Sequence, residues 1–335
     1  MKQGCRLRGW GPIVIAAGLA CLPLGCGRHE PRGTAARREI AAVVKLAGIP
    51  WFNRMEEGVR AAGAALGVAV SQVGPAEADE AQQVRLIEDL ITKGVAAICV
   101  VPNDAKSLEP VFRRARQSGI RIVTHESPDQ REHDCDVELI DNVRFGQYHW
   151  DKLVEMMGEE GDYAVFVGSL TVPAHNLWAD AGLEHARLKY PRLRLVTERI
   201  PCSEDQGLAR QKTLELLQTY PGLKGIIGFG SLGPIGAAQA VREKGLIGKV
   251  FVLGTVLPAH AAPYLADGSL RLGTLWDPKD AGYAMIWIAK RLLDGAPLAD
   301  GLEIPGLGPA RLAGSTIVVD RPIEITAENA LSFGF

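Results

Sequence analysis

The residues of this chain that could do chemistry fall in a repeated position. Lys45, Trp51 and Phe52 follow the apolar run Glu39-Ile-Ala-Ala-Val-Val44 and lead directly into a helical pattern that continues from Arg54. Asn103 and Asp104 follow a second apolar run, and Glu126 a third. Further along come His175, Asn176 and Trp178, then Phe229 and Ser231, then Trp276 and Asp277. This mixture of aromatic, charged and amide side chains suits binding a polyhydroxylated molecule. Aromatic faces remove its C–H surface from water, and polar groups pair its hydroxyls. Each buried polar group left unpaired costs about 1–3 kcal/mol, which is how such a site selects its ligand. Trp51 and Phe52 taken alone suit equally well the capping of the first helix against a sheet.

Bond-making chemistry finds less support. Glu126 and His175 offer a base and an acid, but no nucleophile motif or metal spacing accompanies them. The glycines of Gly228-Phe-Gly230 and Gly233-Pro-Ile-Gly236 have neither G-x-G-x-x-G nor P-loop spacing, so no cofactor is expected. His133-Asp134-Cys135-Asp136 holds metal-ligand types without the spacing of a metal site. The expectation is a binding protein and not an enzyme.

The elements that must position these residues alternate along the chain. Strands at 68–73, 95–101 and 120–124 are separated by helices at 77–93 and 106–117, and a short extended stretch at 137–140 precedes a helix at 144–157. After Asp141-Asn142 the alternation restarts at Tyr163 and runs to a helix ending at Leu293. The fold class is therefore α/β, with two similar lobes built on parallel sheets and helices on both faces of each. In such sheets ligands bind outside the carboxyl ends of the strands, where all the side chains named above fall. Trp150 and Trp287 lie within helices and read as core. The Gly- and Pro-rich segment from Pro297 to Phe335 has one clear strand, at 316–319, and reads as a strip laid over the lobes.

A length of 335 residues favours two domains, and a formal net charge of −2, with no basic tract, gives no reason to expect nucleic acid as a partner. Lys2, Arg6 and Arg8 precede a short apolar segment, Pro12 to Leu24, followed by Gly25-Cys26, as in an export signal. Leu24-Gly25-Cys26 resembles a bacterial lipobox with Cys26 as the lipidated residue. Cys21 is a second candidate and simple secretion a third reading. Residues 27–38 read as a polar tether. Cys99 sits in an apolar run and reads as a small core residue, whereas Cys135 and Cys202 could pair in an oxidising compartment.

Val44-Lys45-Leu-Ala-Gly-Ile-Pro-Trp-Phe52, Ser169-Leu-Thr171 with Asn176 and Trp178, Leu275-Trp-Asp277 and the closing Ala327 to Phe335 resemble type I periplasmic sugar-binding proteins of ABC transporters. Within that family the chain is similar to the branch holding the rhamnose and autoinducer-2 binders, over roughly residues 38–335. The resemblance implies two Rossmann-like lobes that close on ligand, joined by three crossings near 141–142, 276–277 and 298–302. Its boundaries here are a signal at 1–26, a tether at 27–38, a first lobe of 39–142 plus 277–300 and a second of 143–276 plus 301–335. It implies an extracytoplasmic substrate-binding component of a sugar importer, periplasmic or on the cell surface. The protein would be a monomer, anchored through Cys26, with an ABC permease as its partner. The alternative role is a sensory subunit presenting its closed form to a membrane receptor.

Carried over, the resemblance has Trp51 and Phe52 facing Trp178 and Trp276 across a small neutral polyol, with Lys45, Glu126, His175 and Asn176 pairing its hydroxyls. The match to either ligand is incomplete. Glu126 stands where autoinducer-2 binders have aspartate, and Ala174-His175 where they have an Asp-Gln pair. Phe229 and Ser231 stand where they have proline and alanine. Glu126-Ser127 replaces the Asp-Arg pair of ribose binders, and Val256 a later aspartate.

Overall fold

The computed structural model describes residues 39–335, together with Gly9. The signal and tether, with Cys21 and Cys26, lie outside the described residues.

The first round of the chain is β1 (Glu39–Val43), α1 (Pro50–Leu66), β2 (Ala69–Val73), α2 (Glu80–Lys93), β3 (Ala97–Val100), α3 (Ala105–Gln117), β4 (Arg121–His125) and β5 (Cys135–Glu138). The second is α4 (Asn142–Met157), β6 (Glu160–Val167), α5 (Pro173–Lys189), β7 (Arg192–Leu195), β8 (Ile200–Pro201), α6 (Gln206–Thr219), β9 (Leu223–Gly228), α7 (Gly233–Glu243), β10 (Phe251–Thr255), α8 (Pro258–Asp267) and β11 (Leu272–Leu275). Then α9 (Pro278–Leu293) returns to the first lobe, where it packs on α1. Four short strands close the chain: β12 (Leu302–Ile304), β13 (Gly308–Ala313), β14 (Thr316–Val318) and β15 (Ile323–Ile325).

Two sheets result. The first has the order β12-β13-β14-β5-β4-β3-β1-β2, and the second β15-β11-β10-β9-β6-β7, with the two-residue β8 also paired to β6. From β14 to β2 every pairing in the first sheet is parallel, as is every pairing from β11 to β7 in the second. Both faces of the first sheet are covered. Ile40, Ala42, Cys99 and Val123 face the side of α1 and α9, whereas Ala41, Val43, Ile98, Val100 and Ile122 face Ile87, Leu108 and Phe112 of α2 and α3. This is why these strands read as continuous apolar runs instead of alternating ones.

The C-terminal strip departs from the expected assignment of 301–335 to the second lobe. Strands β12, β13 and β14 extend the first sheet, with Ile317 of β14 buried beside Val137 of β5. Only β15 joins the second sheet, antiparallel to β11. The third crossing therefore falls at 319–322 and not at 298–302. Pairing with β5 gives the strip's backbone groups partners and covers what would otherwise be a sheet edge. Asp320 on this crossing has φ 56°, in the left-handed region, and its carboxylate accepts from Asp141 N on the first crossing at 3.0 Å.

Five of the nine α-helices among the described residues start in the same way. Asp79, Asp104, Asp141, Asp205 and Asp277 each accept a hydrogen bond from a backbone N–H in the first turn of the helix that follows. In the second lobe α4 and α5 cross closely at Gly146, where an added Cβ would come within 2.4 Å of Trp178 O. That contact fixes the depth at which Trp178 stands. Cys135 and Cys202, which could have paired, are free and buried on different lobes.

Candidate ligand-binding site

The carboxyl ends of the two sheets face each other across the hinge, and their loops meet around Lys45. Val44 N–H continues the ladder to Val73 O at 2.9 Å, after which the chain leaves the sheet. A buried polar clamp holds that exit. Gln83 of α2 donates to Val44 O at 3.2 Å and Val101 O at 2.8 Å, and its own carbonyl accepts from Asn103 N at 2.9 Å. Asn103 in turn donates to Lys45 O at 2.7 Å. Gly48, at φ 82°, and Pro50 at the first turn of α1 then set Trp51 and Phe52 facing inward.

The Lys45 side chain is only 2% exposed. Its ammonium donates to Glu126 Oε2 at 2.7 Å within the first lobe and lies 3.3 Å from Glu204 Oε1 of the second. Burial alone would lower its pKa, but the two carboxylates outweigh that and hold it above the usual lysine range. Glu126 sits just past β4 at φ 60°, a conformation that costs a non-glycine residue of order 1–2 kcal/mol and aims its carboxylate into the cleft.

His175, on the first turn of α5, faces Lys45 from the second lobe. Its Nδ1 accepts from Gly168 N at 3.0 Å, which leaves the proton on Nε2. Burial, and then the Lys45 charge, push its pKa well below the usual imidazole range, so the ring is neutral. Nε2 lies 3.3 Å from Lys45 Nζ. Two donors face each other there, and a single acceptor approaching from the cavity would take a bond from each.

Aromatic rings wall the space. Trp276, on the second crossing, stands edge-on to Trp51 of the first lobe at 5.2 Å and to Trp178 of the second at 5.4 Å. Its indole N–H donates to His125 Nε2 at 3.3 Å, and His125 Nδ1 donates to Val137 O at 2.6 Å. Trp178 is tilted by 33° to His175 at 5.3 Å and donates to Asn142 Oδ1 at 2.6 Å. The enclosed space is about 20 Å³, which holds one water. Anything larger enters only when the lobes part.

Of the residues expected at the site, Lys45, Trp51, Phe52, Glu126, His175, Trp178, Ser231 and Trp276 line this cavity. The other five do not. Asn103 supports Lys45 from behind, and Asp104 caps α3. Asn176 donates to Ser169 O and Val172 O and accepts from Arg199. Phe229 packs beneath Trp178 and His149. Asp277 caps α9 and accepts from Arg54 at 3.0 and 2.7 Å. Sequence reasoning missed Ile49, Glu204, Gly230 and Thr255, which also line the cavity. Glu204 Oε2 and Thr255 Oγ1 are buried there without a hydrogen-bond partner. A larger hollow, of about 300 Å³, opens against the hinge beside Ile140, Tyr148 and Ile323. Its Arg144 is paired with Asp141 and Asp320, so it lacks the convergence of unpaired groups seen around Lys45.

Two α/β lobes, joined by three crossings and closing over a polar cavity walled by indoles, define a cleft-type binding protein. The profile of the periplasmic binding protein domain matches residues 40–297, and the chain belongs to that family, whose members are binding proteins that work outside the cytoplasm. It is 27% identical over 255 residues to the D-allose-binding periplasmic protein of Escherichia coli, covering 74% of this chain and 82% of that protein. It is 26% identical over 283 residues to a D-ribose/D-allose-binding protein of Pseudomonas aeruginosa, covering 80% and 85%. Among solved structures, LsrB from Clostridium saccharobutylicum in complex with AI-2 superposes with a TM-score of 0.81 at 22% identity, over 89% of this chain and all of that one. A solute-binding protein from Clostridium phytofermentas with bound L-rhamnose gives 0.81 at 24%, over 89% and 98%.

Proposed function

We propose that this protein is the extracytoplasmic substrate-binding component of a sugar ABC importer, capturing a small neutral sugar or polyol between its lobes. The observation that carries the reading is the convergence of buried, unpaired donors and acceptors on one space between indole rings. His175 Nε2–H, Glu204 Oε2 and Thr255 Oγ1 lack partners that a ligand's hydroxyls would supply. Trp51, Trp178 and Trp276 offer the apolar surface for its ring. Relatives named for D-allose, D-ribose and D-xylose support the sugar class. The partners are the sugar and a membrane permease, and the protein acts as a monomer anchored through Cys26.

A thermal-shift panel of pentoses, hexoses, deoxyhexoses and autoinducer-2 tests this. Ligand at about 100 times Kd adds about 2.7 kcal/mol, enough for a shift of several degrees. Trp51→Ala and Trp178→Ala should lose most of that shift, and Trp150→Phe should keep it. If both alanine variants bind as tightly as the parent and no ligand alters tryptophan fluorescence, the cleft is not the binding site. Cys26→Ser should end acyl labelling and release the protein from membranes. Labelling that survives there and vanishes in Cys21→Ser would move the anchor.

A further inference from the structure

We infer that Glu204 sets the charge of the ligand, so that the cleft takes neutral sugars and rejects their acidic and phosphorylated forms. The inference rests on the sugar-binding reading and adds to it a specificity determinant. The charged and titratable groups that line the cavity are Lys45, Glu126, His175 and Glu204. His175 is neutral, because its Nδ1 accepts from Gly168 and burial disfavours the second proton. Lys45 therefore answers two carboxylates alone, and the site carries one negative charge in excess. Behind it, the His125 Nε2 lone pair is taken by Trp276 N–H.

The excess sits at a definite place. Lys45 is nearer to Glu126, at 2.7 Å, than to Glu204, at 3.3 Å. Glu126 belongs to the same lobe as Lys45, so their pair persists when the lobes part. Glu204 belongs to the opposite lobe, and its Oε2 is buried without a partner. No arginine lines the cavity among the described residues. The two nearby arginines named above, Arg54 and Arg199, are engaged with Asp277 and with Asp180 and Asn176.

A ligand group entering beside Glu204 Oε2 must therefore donate. Sugar hydroxyls do so, and a carboxylate–hydroxyl bond in a water-poor space is among the stronger hydrogen bonds. The carboxylate of a uronate, or an ionised phosphate group, has only acceptors to present at that point and brings a second negative charge into a space where charges are weakly screened. The bidentate arginine that usually recognises such groups is missing from the lining. An acidic analogue of a neutral ligand is expected to bind at least about 100-fold more weakly, the ratio that about 3 kcal/mol of repulsion produces.

Isothermal titration of matched pairs tests this: D-ribose with D-ribose 5-phosphate, D-allose with D-allose 6-phosphate, D-glucose with D-glucuronate and D-galactose with D-galacturonate. The parent should bind at least one neutral member and discriminate against its acidic counterpart by at least about 100-fold. Glu204→Gln, which keeps the shape and removes the charge, should cut that ratio to about tenfold or less while weakening the neutral sugar. Glu204→Asp should weaken the neutral sugar too but keep the discrimination. A parent that binds the acidic member as tightly as the neutral one overturns the role of Glu204 and leaves sugar binding standing. So does a Glu204→Gln variant that discriminates like the parent. A parent that binds no member of any pair and no sugar of the thermal-shift panel removes sugar binding and this inference together.

Discussion

Replacing Lys45 with methionine separates an electrostatic account of the cleft from a packing account. The linear side chain preserves most of the buried volume but leaves Glu126, itself 2% exposed, without its cation at 2.7 Å. Removing one partner of a buried ion pair destabilises by about 3–5 kcal/mol, since the remaining charge stays desolvated. The Glu204 contact crosses the cleft and is relieved when the lobes part, so the lower end of that range applies to folding. Lys45→Met should thus lose about 3 kcal/mol at pH 8, equivalent to a fall in Tm of roughly 5 °C for a protein of this size. Urea unfolding followed by circular dichroism and by tryptophan fluorescence measures it. Acidification to pH 5 should recover part of the loss as the stranded carboxylate takes up a proton. Lys45→Met combined with Glu126→Gln should recover most of it at pH 8. A single variant within about 1 kcal/mol of the parent would refute the reasoning. So would a double variant no more stable than the single one.

Three further outcomes follow from the same structure. His149 donates from Nδ1 to Phe145 O at 2.7 Å and accepts at Nε2 from Thr274 Oγ1 at 2.8 Å, and burial lowers its pKa to about 4. Above pH 6.5 it is neutral folded or unfolded; below that only the unfolded chain protonates until about pH 4, so acidification should cost up to about 3 kcal/mol, a loss that His149→Phe removes. Burial raises the carboxyls of Asp136 and Glu138 and acts in the opposite sense, so the difference between parent and His149→Phe isolates the imidazole. Gly282→Ala places a Cβ 2.3 Å from Met55 O where α9 crosses α1, and should lower stability by about 2 kcal/mol in thermal unfolding; an unchanged Tm would mean that the two helices part freely. Small-angle scattering should show a smaller radius of gyration with saturating sugar than without, and identical profiles would remove hinge closure from the mechanism.

Much of this arrangement was legible in the sequence because a parallel sheet covered on both faces writes its strands as apolar runs and its ligand contacts as whatever follows them. Lys45, Glu126, His175 and Trp276 were found in that way. The same rule also selects Asp104 and Asp277, whose carboxylates cap α3 and α9 and lie off the cavity lining. In a βα unit the loop that can hold ligand also starts a helix, and an aspartate there is equally an N-cap. The recurrence of aspartate before α2, α4 and α6 was the signal that could have separated the two roles.

Glu204 was missed for a different reason. It follows β8, which is two residues long and pairs with only the end of β6, so no period-2 pattern announces a carboxyl end. Thr255 ends β10, where a β-branched residue reads as more strand. Both were hidden by local sequence, yet both bring buried polar atoms without partners to the cavity. Local pattern decides where a strand stops, but the convergence of unpaired atoms is a property of two lobes brought together, and no window along the chain contains it. The C-terminal strip shows the same limit. Pairing β14 with β5 depends on partners about 180 residues apart, and Gly- and Pro-rich turns between short strands say only that the chain bends, not which sheet it joins. The polarity of the cleft is therefore the part of this protein that most needed its fold to be seen, and Glu204 is where it bears on function.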